Sequence, residues 1–206
     1  MSDVISESKW ENWNISGGPK YPHEKVVQFT FRNFPSDSRK NTKVLDLGCG
    51  SGVHAIFFAM EGFEVYGTDI SEVGIKNTIS KIKENGLSGQ FDVQSIDNIA
   101  YPDNFFNYVI SIGVLDCAGP ELAFTAIKEI IRVLDSGGKA FLCFASNEDF
   151  RVLGSNSLGL YGFNEKEVEA MIPKEDLSIR WIDRYITTYQ NQKEQQNDFL
   201  ITLQKE

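Results

Sequence analysis

Residues 44–52 read Val-Leu-Asp-Leu-Gly-Cys-Gly-Ser-Gly, and this stretch decides the fold. The apolar run 43–47 is typical of a buried strand, and three glycines follow it at positions 48, 50 and 52. From His54 onward the apolar residues have helical spacing. Glycine lets a backbone turn sharply and approach a ligand closely, because it has no Cβ. The stretch therefore predicts a strand, a tight turn and a helix that meet at a ligand site.

A second apolar run, residues 64–68, ends at Asp69. A carboxylate at the end of the second strand of such a unit can accept hydrogen bonds from both hydroxyls of a ribose. The glycine turn and Asp69 together predict an adenosine-containing ligand at the carboxyl ends of a parallel sheet.

The spacing of the glycines bears on which adenosine ligand binds. A dinucleotide fingerprint needs a third glycine in G-x-G-x-x-G, where this chain has Val53 or Ala55. The pattern that fits is G-x-G-x-G, with Asp46 just before it inside the strand. A buried acid beside the turn suits a cationic ligand better than a diphosphate, so a nicotinamide-dependent oxidoreductase is the weaker alternative.

This first motif resembles that of the class I S-adenosylmethionine-dependent methyltransferases, and the resemblance covers roughly residues 40–145. Segments 95–111, 112–115 and 127–138 are similar to the family's adenine-side loop and fourth strand, the turn after that strand, and the helix and Gly-Gly turn before the fifth strand. The resemblance implies an α/β fold with a Rossmann-like doubly wound, mostly parallel seven-stranded sheet. Helices would cover both faces, and a C-terminal antiparallel hairpin would complete the sheet.

The resemblance also implies the ligand, S-adenosyl-L-methionine, with S-adenosyl-L-homocysteine as the product. Asp69 would hold the ribose, Ile70 would pack on the adenine, and residues 95–97 would edge it. The family most often carries an acid where this chain has Ser95, and Asp97 is the candidate to replace that acid. The full set of expected cofactor contacts is Tyr21, Asp46, Gly48, Cys49, Gly50, Asp69, Ile70, Ser95, Ile96, Asp97, Ile112 and Gly113.

No fixed catalytic residue is visible in the sequence. Methyl transfer from a sulfonium is a direct displacement that needs mainly positioning and exclusion of water, although a hydroxyl nucleophile needs a base. Two weak candidates for that base are Asp116, which follows the fourth strand, and His23, which heads an N-terminal helix. The alternative roles are a loop or N-cap acid before Pro120 for Asp116, and a surface or capping residue for His23.

Composition narrows the class of protein. The 206 residues carry a formal charge of −9 with scattered Lys and Arg, which argues against nucleic acid as the substrate. No apolar run is long enough to cross a bilayer, and the start of the sequence has no secretory signal pattern, so we expect a cytoplasmic protein with no membrane partner. The three cysteines and two histidines have no metal-ligand spacing, so we expect reduced thiols and no metal.

Alternating patterns predict strands at 43–47, 64–69, 90–94, 106–112 and 139–144, with helices at 23–34, 53–61, 71–85 and 120–134. A capping box at 164–167 predicts a short helix, and two β-rich runs, 178–189 and 198–204, close the chain around a polar turn. We interpret residues 1–206 as a single methyltransferase domain. Its parts are an arm and helix over the cofactor site (1–35), a cofactor-binding core (40–145) and an acceptor side (146–206).

Aromatic and apolar residues outside the core admit two readings. Trp10, Trp13 and Tyr21 either form a lid over the cofactor, with Tyr21 near its carboxylate, or pack as an arm on the sheet edge. Four residues of the late loop either line an acceptor pocket or simply pack that loop; they are Phe150, Leu153, Leu158 and Tyr161.

The sequence thus predicts methyl transfer from S-adenosylmethionine to a small-molecule or glycan-like acceptor, at oxygen. The Asn/Asp-Pro-Pro-Tyr/Phe motif of enzymes that methylate base amines is absent, because residues 111–114 read Ser-Ile-Gly-Val. Two alternatives stay open. One is a non-catalytic module that binds S-adenosylmethionine or S-adenosylhomocysteine, and the other is a protein methyltransferase. The pattern does not indicate an oligomeric state.

Overall fold

Five parallel strands and a C-terminal antiparallel hairpin form one sheet. The computed structural model describes residues 7–154 and 159–206. Within these ranges the strand order is β3-β2-β1-β4-β5-β7-β6. The strands are β1 (Lys43–Leu47), β2 (Glu64–Asp69), β3 (Gln90–Val93), β4 (Phe106–Ile112), β5 (Leu134–Ala145), β6 (Leu177–Tyr189) and β7 (Glu194–Lys205).

The helices lie mainly in the connections between these strands. They are α1 (Glu7–Ile15), α2 (Glu24–Asn33), α3 (Val53–Met60), α4 (Glu72–Glu84), α5 (Leu115–Ala118), α6 (Pro120–Val133), α7 (Phe150–Leu153) and α8 (Glu165–Met171). One 3₁₀ turn, Arg39–Asn41, precedes β1.

Strand β1 is the centre of the sheet. Asp46 pairs with Gly67 of β2 on one side and with Ile110 of β4 on the other, both in parallel register. The direction of winding therefore reverses between β1 and β4. In open α/β sheets the crevice outside the carboxyl ends of the strands at such a reversal is where ligands bind.

Two apolar clusters sandwich the sheet. On one face, Val26 of α2 and Phe58 of α3 pack with Val44 and Tyr108. On the other face, Ile127 of α6 and other apolar side chains of α6 and α8 pack with Leu45, Leu47 and residues from most of the other strands. Buried parallel strands need this cover on both sides, which explains their near-continuous apolar sequences.

Local sequence signals set several helix ends. The Ser71 hydroxyl accepts a hydrogen bond from the Gly74 N–H at 2.9 Å and begins α4. Pro120 occupies the first turn of α6, where its missing N–H is not needed. Asn164 and Glu167 form the capping box expected for α8.

The structure confirms the predicted fold class and differs from the predicted elements in several places. The sequence did not predict the short helices α1, α5 and α7, and α1 has no apolar stripe. Strand β5 begins at Leu134, since the Gly-Gly turn at 137–138 forms an irregularity within a paired strand and does not precede it. Strand β7 begins at Glu194, so the whole polar segment 194–197 is paired with β6. Polar residues join a strand there because backbone pairing does not depend on their side chains.

The two faces of α6 give a test of the core. Ile127 is fully buried, and Ile127→Ala should lower the free energy of unfolding by about 2–5 kcal/mol, because it removes apolar contacts and leaves a cavity. Phe124 lies on the same helix with 41% of its surface exposed, so Phe124→Ala should cost about 1 kcal/mol or less. Urea unfolding followed by circular dichroism measures both. Equal losses would contradict the assigned orientation of the helix.

Candidate functional site

The glycine turn after β1 is tied to the end of β2. The N–H groups of Gly48 and Cys49 donate to the carbonyl of Thr68 at 2.7 and 2.9 Å. The Gly50 N–H donates to Oδ2 of Asp69 at 2.7 Å. Gly48 has a φ of +79°, and a Cβ there would lie 2.4 Å from a methyl carbon of Val114. Only glycine therefore fits at position 48, where this turn comes closest to the segment after β4.

Asp69 lies at the edge of this turn, as the sequence predicts. Its carboxylate is 9% exposed and also accepts a hydrogen bond from the Ser71 N–H at 2.8 Å. Burial raises the pKa of Asp69, while the N–H groups of Ser71 and Gly50 act against that rise. Each oxygen keeps a lone pair beyond these bonds, so the group can accept two hydroxyl donors of a ribose.

Asp46 is a buried acid that lacks one partner. Its side chain is 1% exposed and accepts a hydrogen bond from the Ala55 N–H, while Oδ2 has no partner among the described residues. Burial, together with the charge of Asp69, raises the pKa of Asp46 to about 7. An unpartnered buried acceptor normally has a functional explanation. A cationic ligand with N–H donors, such as the amino group and sulfonium of S-adenosylmethionine, fits this position.

The expected adenine edge is partly exposed. Ile70 is 43% exposed and free to pack on a ring, whereas Ile96 is 9% exposed. The Ser95 hydroxyl donates to the Asp97 carboxylate. The two side chains proposed to contact the adenine amino group are thus joined, and either offers a remaining lone pair as an acceptor.

The expected transfer site lies after β4. Gly113 donates its N–H to the carbonyl of Cys143 at 2.8 Å, and a Cβ at Gly113 would meet nothing within 4 Å. Cys49 is buried beneath the turn, and Ile112 is partly buried. Tyr21 is 83% exposed and Trp13 43% exposed, so their proposed place over the cofactor remains a prediction.

Asp116 is buried beside the transfer site. It is 2% exposed, and its Oδ2 accepts a hydrogen bond from the Ala145 N–H at 3.0 Å. Oδ1 has no partner among the described residues, since the neighbouring Cys117 thiol donates to the carbonyl of Gly113 at 3.1 Å. Burial raises the pKa of Asp116 to about 6, although the Ala145 N–H acts in the opposite direction. Gly119 caps α6, so Asp116 is not the N-cap acid of the alternative reading.

His23 caps α2. The ring Nδ1 of His23 accepts a hydrogen bond from the Lys25 backbone N–H at 3.2 Å. The backbone N–H of His23 donates to Nε2 of His54 at 3.1 Å. Burial lowers the pKa of His23, which favours the neutral ring. A neutral ring that accepts at Nδ1 carries its hydrogen on Nε2, so it has no free lone pair for a base. The geometry favours the capping role of His23 over the catalytic one.

A buried ionic network that sequence reasoning missed lies next to Asp116. Asp149 is fully buried and accepts two hydrogen bonds from the Arg151 guanidinium, at 2.8 and 2.9 Å. Arg151 also pairs with Asp198, which is 2% exposed and lies opposite Ala145 in the β5–β7 ladder. Burial raises the pKa of Asp149, but its bonds from Arg151 and Asn197 outweigh burial and lower it overall. The available signal was an acid, Asp198, in an otherwise apolar run.

The late loop reaches Asp116 through the backbone of Tyr161. The Tyr161 N–H donates to the carbonyl of Asp116 at 2.7 Å, so this residue does border the site. Leu153 is 71% exposed, and Leu158 lies outside the described residues. A separate groove of about 460 Å³ lies between α2 and the hairpin, against Phe141 and Trp181, and it includes none of the predicted cofactor contacts.

Metal-binding clusters and membrane-spanning helices are both absent from the described parts of the chain. No group of three or more His, Cys, Asp or Glu residues there could hold a metal ion. No helix in residues 7–154 and 159–206 has both the length and the apolar character needed to cross a bilayer. All three cysteines are free thiols.

The sheet order, and the placement of the glycine turn, Asp46 and Asp69, match the arrangement that the resemblance to class I S-adenosylmethionine-dependent methyltransferases implies. Residues 44–138 match the family model described as a methyltransferase domain. This match covers just under half of the chain, and it bears out the sequence-based prediction of a class I S-adenosylmethionine-dependent methyltransferase with S-adenosylmethionine as its cofactor.

Known proteins are similar to this chain at moderate identity. A ubiquinone/menaquinone biosynthesis C-methyltransferase of Bdellovibrio bacteriovorus is 29% identical over 136 residues, which cover 65% of this chain and 55% of that protein. A ribosomal RNA small subunit methyltransferase C of Alcanivorax borkumensis is 37% identical over 51 residues, 25% of this chain and 16% of that protein. The chain thus spans about half of the first relative and less of the second.

The fold has a full-length counterpart among solved structures. A magnesium protoporphyrin IX methyltransferase of Synechocystis PCC 6803, solved with bound SAH, superposes with a TM-score of 0.73. The alignment covers 100% of this chain and 98% of that chain at 19% identity. At this identity the likeness shows the fold alone.

The raised pKa of Asp46 predicts a pH effect on stability. Its pKa is about 7 in the folded chain against an ordinary 3.8, so the folded chain binds more protons than the unfolded chain between these values. The contribution of Asp46 is therefore full below about pH 4 and is lost as the pH rises toward about 7. Asp46→Asn should reduce the loss of stability between about pH 5 and about pH 8 by about 1–3 kcal/mol.

Urea unfolding of the cofactor-free protein across this pH range measures the effect. Asp69 and Asp116 contribute in the same direction in both proteins, so only the difference between wild type and variant reports on Asp46. The matched control is Asp37→Asn in an exposed loop, which should leave the pH dependence unchanged. An Asp46→Asn protein with the wild-type pH dependence would show that Asp46 is ionised in the folded chain.

Proposed function

We propose that this chain transfers the methyl group of S-adenosylmethionine to a hydroxyl of a small-molecule or glycan-like acceptor. The observation that carries the proposal is Asp116, a buried carboxyl with one unpartnered oxygen directly after the segment that packs on the glycine turn. A hydroxyl needs a base, and a base with a pKa near 6 is ionised at neutral pH. The relative from Bdellovibrio bacteriovorus acts in quinone biosynthesis by its name, which supports a small acceptor.

The geometry of the site suggests a role for each residue in the proposed reaction. S-adenosylmethionine supplies a methyl group that its positive sulfur already activates. The glycine turn, Asp46 and Asp69 hold the cofactor, with Ile70, Ile96 and the Ser95–Asp97 pair at the adenine. Asp116 accepts the hydroxyl proton at Oδ1, and the Ala145 N–H keeps its carboxylate in place through Oδ2. Gly113 leaves open space in which the two reactants can meet.

The charges around Asp116 favour one kind of acceptor. Asp116, Asp149 and Asp198 are buried acids, and Arg151 is the cation that pairs with two of them. A carboxylate or phosphate placed near this acidic excess would be repelled in a medium of low dielectric constant. A neutral acceptor with hydroxyl donors suits this acidic surrounding better.

The overall charge of −9 supports the exclusion of nucleic acid, and the three free cysteines support a reducing, cytoplasmic location.

Asp116→Asn tests the proposed base. The amide keeps the shape of the side chain but cannot take up a proton, so kcat should fall about 10²–10⁴-fold. The wild-type rate should rise with pH through about 6 and then level off, because the base acts only when ionised. The variant should lose this dependence and still bind S-adenosylhomocysteine as wild type does.

The assay follows transfer of a deuterated methyl group by mass spectrometry to a panel of phenols, catechols, hydroxyquinones and sugars. Methylation at carbon or nitrogen of the panel members would contradict the oxygen proposal. Binding of S-adenosylhomocysteine with no transfer to the panel, to peptides or to RNA would favour the non-catalytic binding module.

Asp69→Asn tests the cofactor site independently of the acceptor. The amide places an N–H₂ group against the Gly50 or Ser71 donors and removes the charge that holds a ribose. Affinity for S-adenosylhomocysteine should fall at least about tenfold by isothermal titration. Asp92→Asn, an exposed change on neighbouring β3, is the matched control and should bind normally. Unchanged affinity in Asp69→Asn would remove Asp69 from the site.

A further inference from the structure

Helix α1 packs on the glycine turn and on α4, and Asn14 contacts both. Asn14 is 2% exposed although it sits on a short peripheral helix. Its Oδ1 accepts a hydrogen bond from the Ser51 hydroxyl at 2.9 Å, and its carbonyl accepts one from Nδ2 of Asn77 at 2.7 Å. One residue thus connects α1 with the glycine turn and with the helix that follows Asp69.

The backbone around Asn14 is shaped for this close approach. A Cβ at Gly50 would lie 3.3 Å from Oδ1 of Asn14, and a Cβ at Gly74 would lie 2.9 Å from its Nδ2. Gly50 is the residue whose N–H holds Asp69, at 2.7 Å. Asn14 therefore packs against Gly50, the residue that hydrogen-bonds the carboxylate expected to bind the ribose.

Two more polar contacts hold the same segment. Glu11 accepts a hydrogen bond from the Val73 N–H at 3.1 Å, in the first turn of α4. The Lys81 ammonium donates to the carbonyls of Gly17 and Ser51 at 3.1 and 3.0 Å, which ties the end of the arm to the turn. These contacts all end on the glycine turn or on α4.

Helix α1 has little apolar burial to hold it otherwise. Trp10 is partly buried, but Trp13 and Ile15 are 43% and 69% exposed, and none of the described side chains of α1 belongs to either apolar cluster of the sheet. A helix of nine residues is marginal on its own in water. Besides the partial burial of Trp10, its docking therefore depends on the polar contacts to Ser51, Val73 and Asn77, and so on the conformation of the glycine turn.

We propose that Asn14 is a positioning residue for the cofactor, which fixes α1 on the glycine turn so that docking of α1 and binding of the cofactor strengthen one another. Coupling between two equilibria is reciprocal. If only the docked form holds the turn in its binding shape, the apparent affinity for the cofactor is reduced by the fraction of undocked chains. Weakening the Asn14 contacts therefore weakens cofactor binding, even though Asn14 acts through Ser51 and Gly50.

The first test is the affinity for S-adenosylhomocysteine by isothermal titration. Asn14→Ala should raise Kd about five- to tenfold, the loss expected when a buried hydrogen-bonded amide is removed. Asn85→Ala is the matched control, because it removes an exposed amide that donates to the Lys81 carbonyl at the far end of α4. The control should keep the wild-type Kd.

A double-mutant cycle identifies the contact. Ser51→Ala removes the same hydrogen bond from the other side, so the effects of Asn14→Ala and Ser51→Ala on Kd should be clearly less than multiplicative in the double variant. Multiplicative effects on Kd would overturn the role assigned to the hydrogen bond between Asn14 and Ser51.

Hydrogen exchange separates positioning from a merely structural role. Saturating S-adenosylhomocysteine should slow amide exchange in residues 9–18 of wild type, and this protection should be largely lost in Asn14→Ala. A Kd within about twofold of wild type in Asn14→Ala, or exchange of α1 that ignores the ligand, would overturn the proposal. Neither measurement needs a methyl acceptor, so the result stands apart from the proposed reaction.

Discussion

The hydrogen bonds between the glycine turn and the end of β2 are the constraint on which the site depends. Thr68 and Asp69 receive the N–H groups of three successive turn residues, Gly48, Cys49 and Gly50. A turn fixed in this way cannot relax toward solvent, so its glycines keep the backbone positions that bring Val114 and Thr78 against it. The shape of the proposed cofactor site is thus set by main-chain geometry. This pre-organisation lowers the entropic cost of binding.

A second theme is the burial of acids without full partners. Asp46 and Asp116 each satisfy one carboxylate oxygen with a backbone N–H and leave the other unpaired among the described residues. Burial without a counter-ion raises both pKa values and opposes the stability of the folded chain at neutral pH. Arg151 forms ion pairs with Asp149 and Asp198, so other buried acids of this chain do have a counter-ion. The two that stay unpaired lie on the proposed cofactor side (Asp46) and the proposed acceptor side (Asp116) of the turn.

The sequence predicts the strands, turn and helix of the proposed cofactor side because the signals for these elements are local. The strand, three glycines and helix at 43–60 are consecutive, and Asp69 closes the next strand, so the parallel sheet brings them together without further information. The acceptor half depends on contacts between distant segments. Asp116, Asp149 and Asp198 meet because β5 pairs with β7, which no local pattern specifies. Asn14 was missed for a related reason: α1 lacks an apolar stripe, and its polar contacts follow from docking alone.

The pairing of β5 with β7 also explains why acceptor choice is harder to read than cofactor choice. Ala145, whose N–H holds Asp116, lies opposite Asp198, whose carboxylate holds Arg151. Successive side chains of a strand point to opposite faces, so a slip of one residue would turn Asp198 away and expose Arg151 to the wrong partners. The apolar neighbours Phe199, Ile201 and Leu203 oppose such a slip, because all three are buried. Burial of the hairpin therefore fixes where the charged side chains on the proposed acceptor side lie. The residue types at these positions can differ between proteins that share the fold.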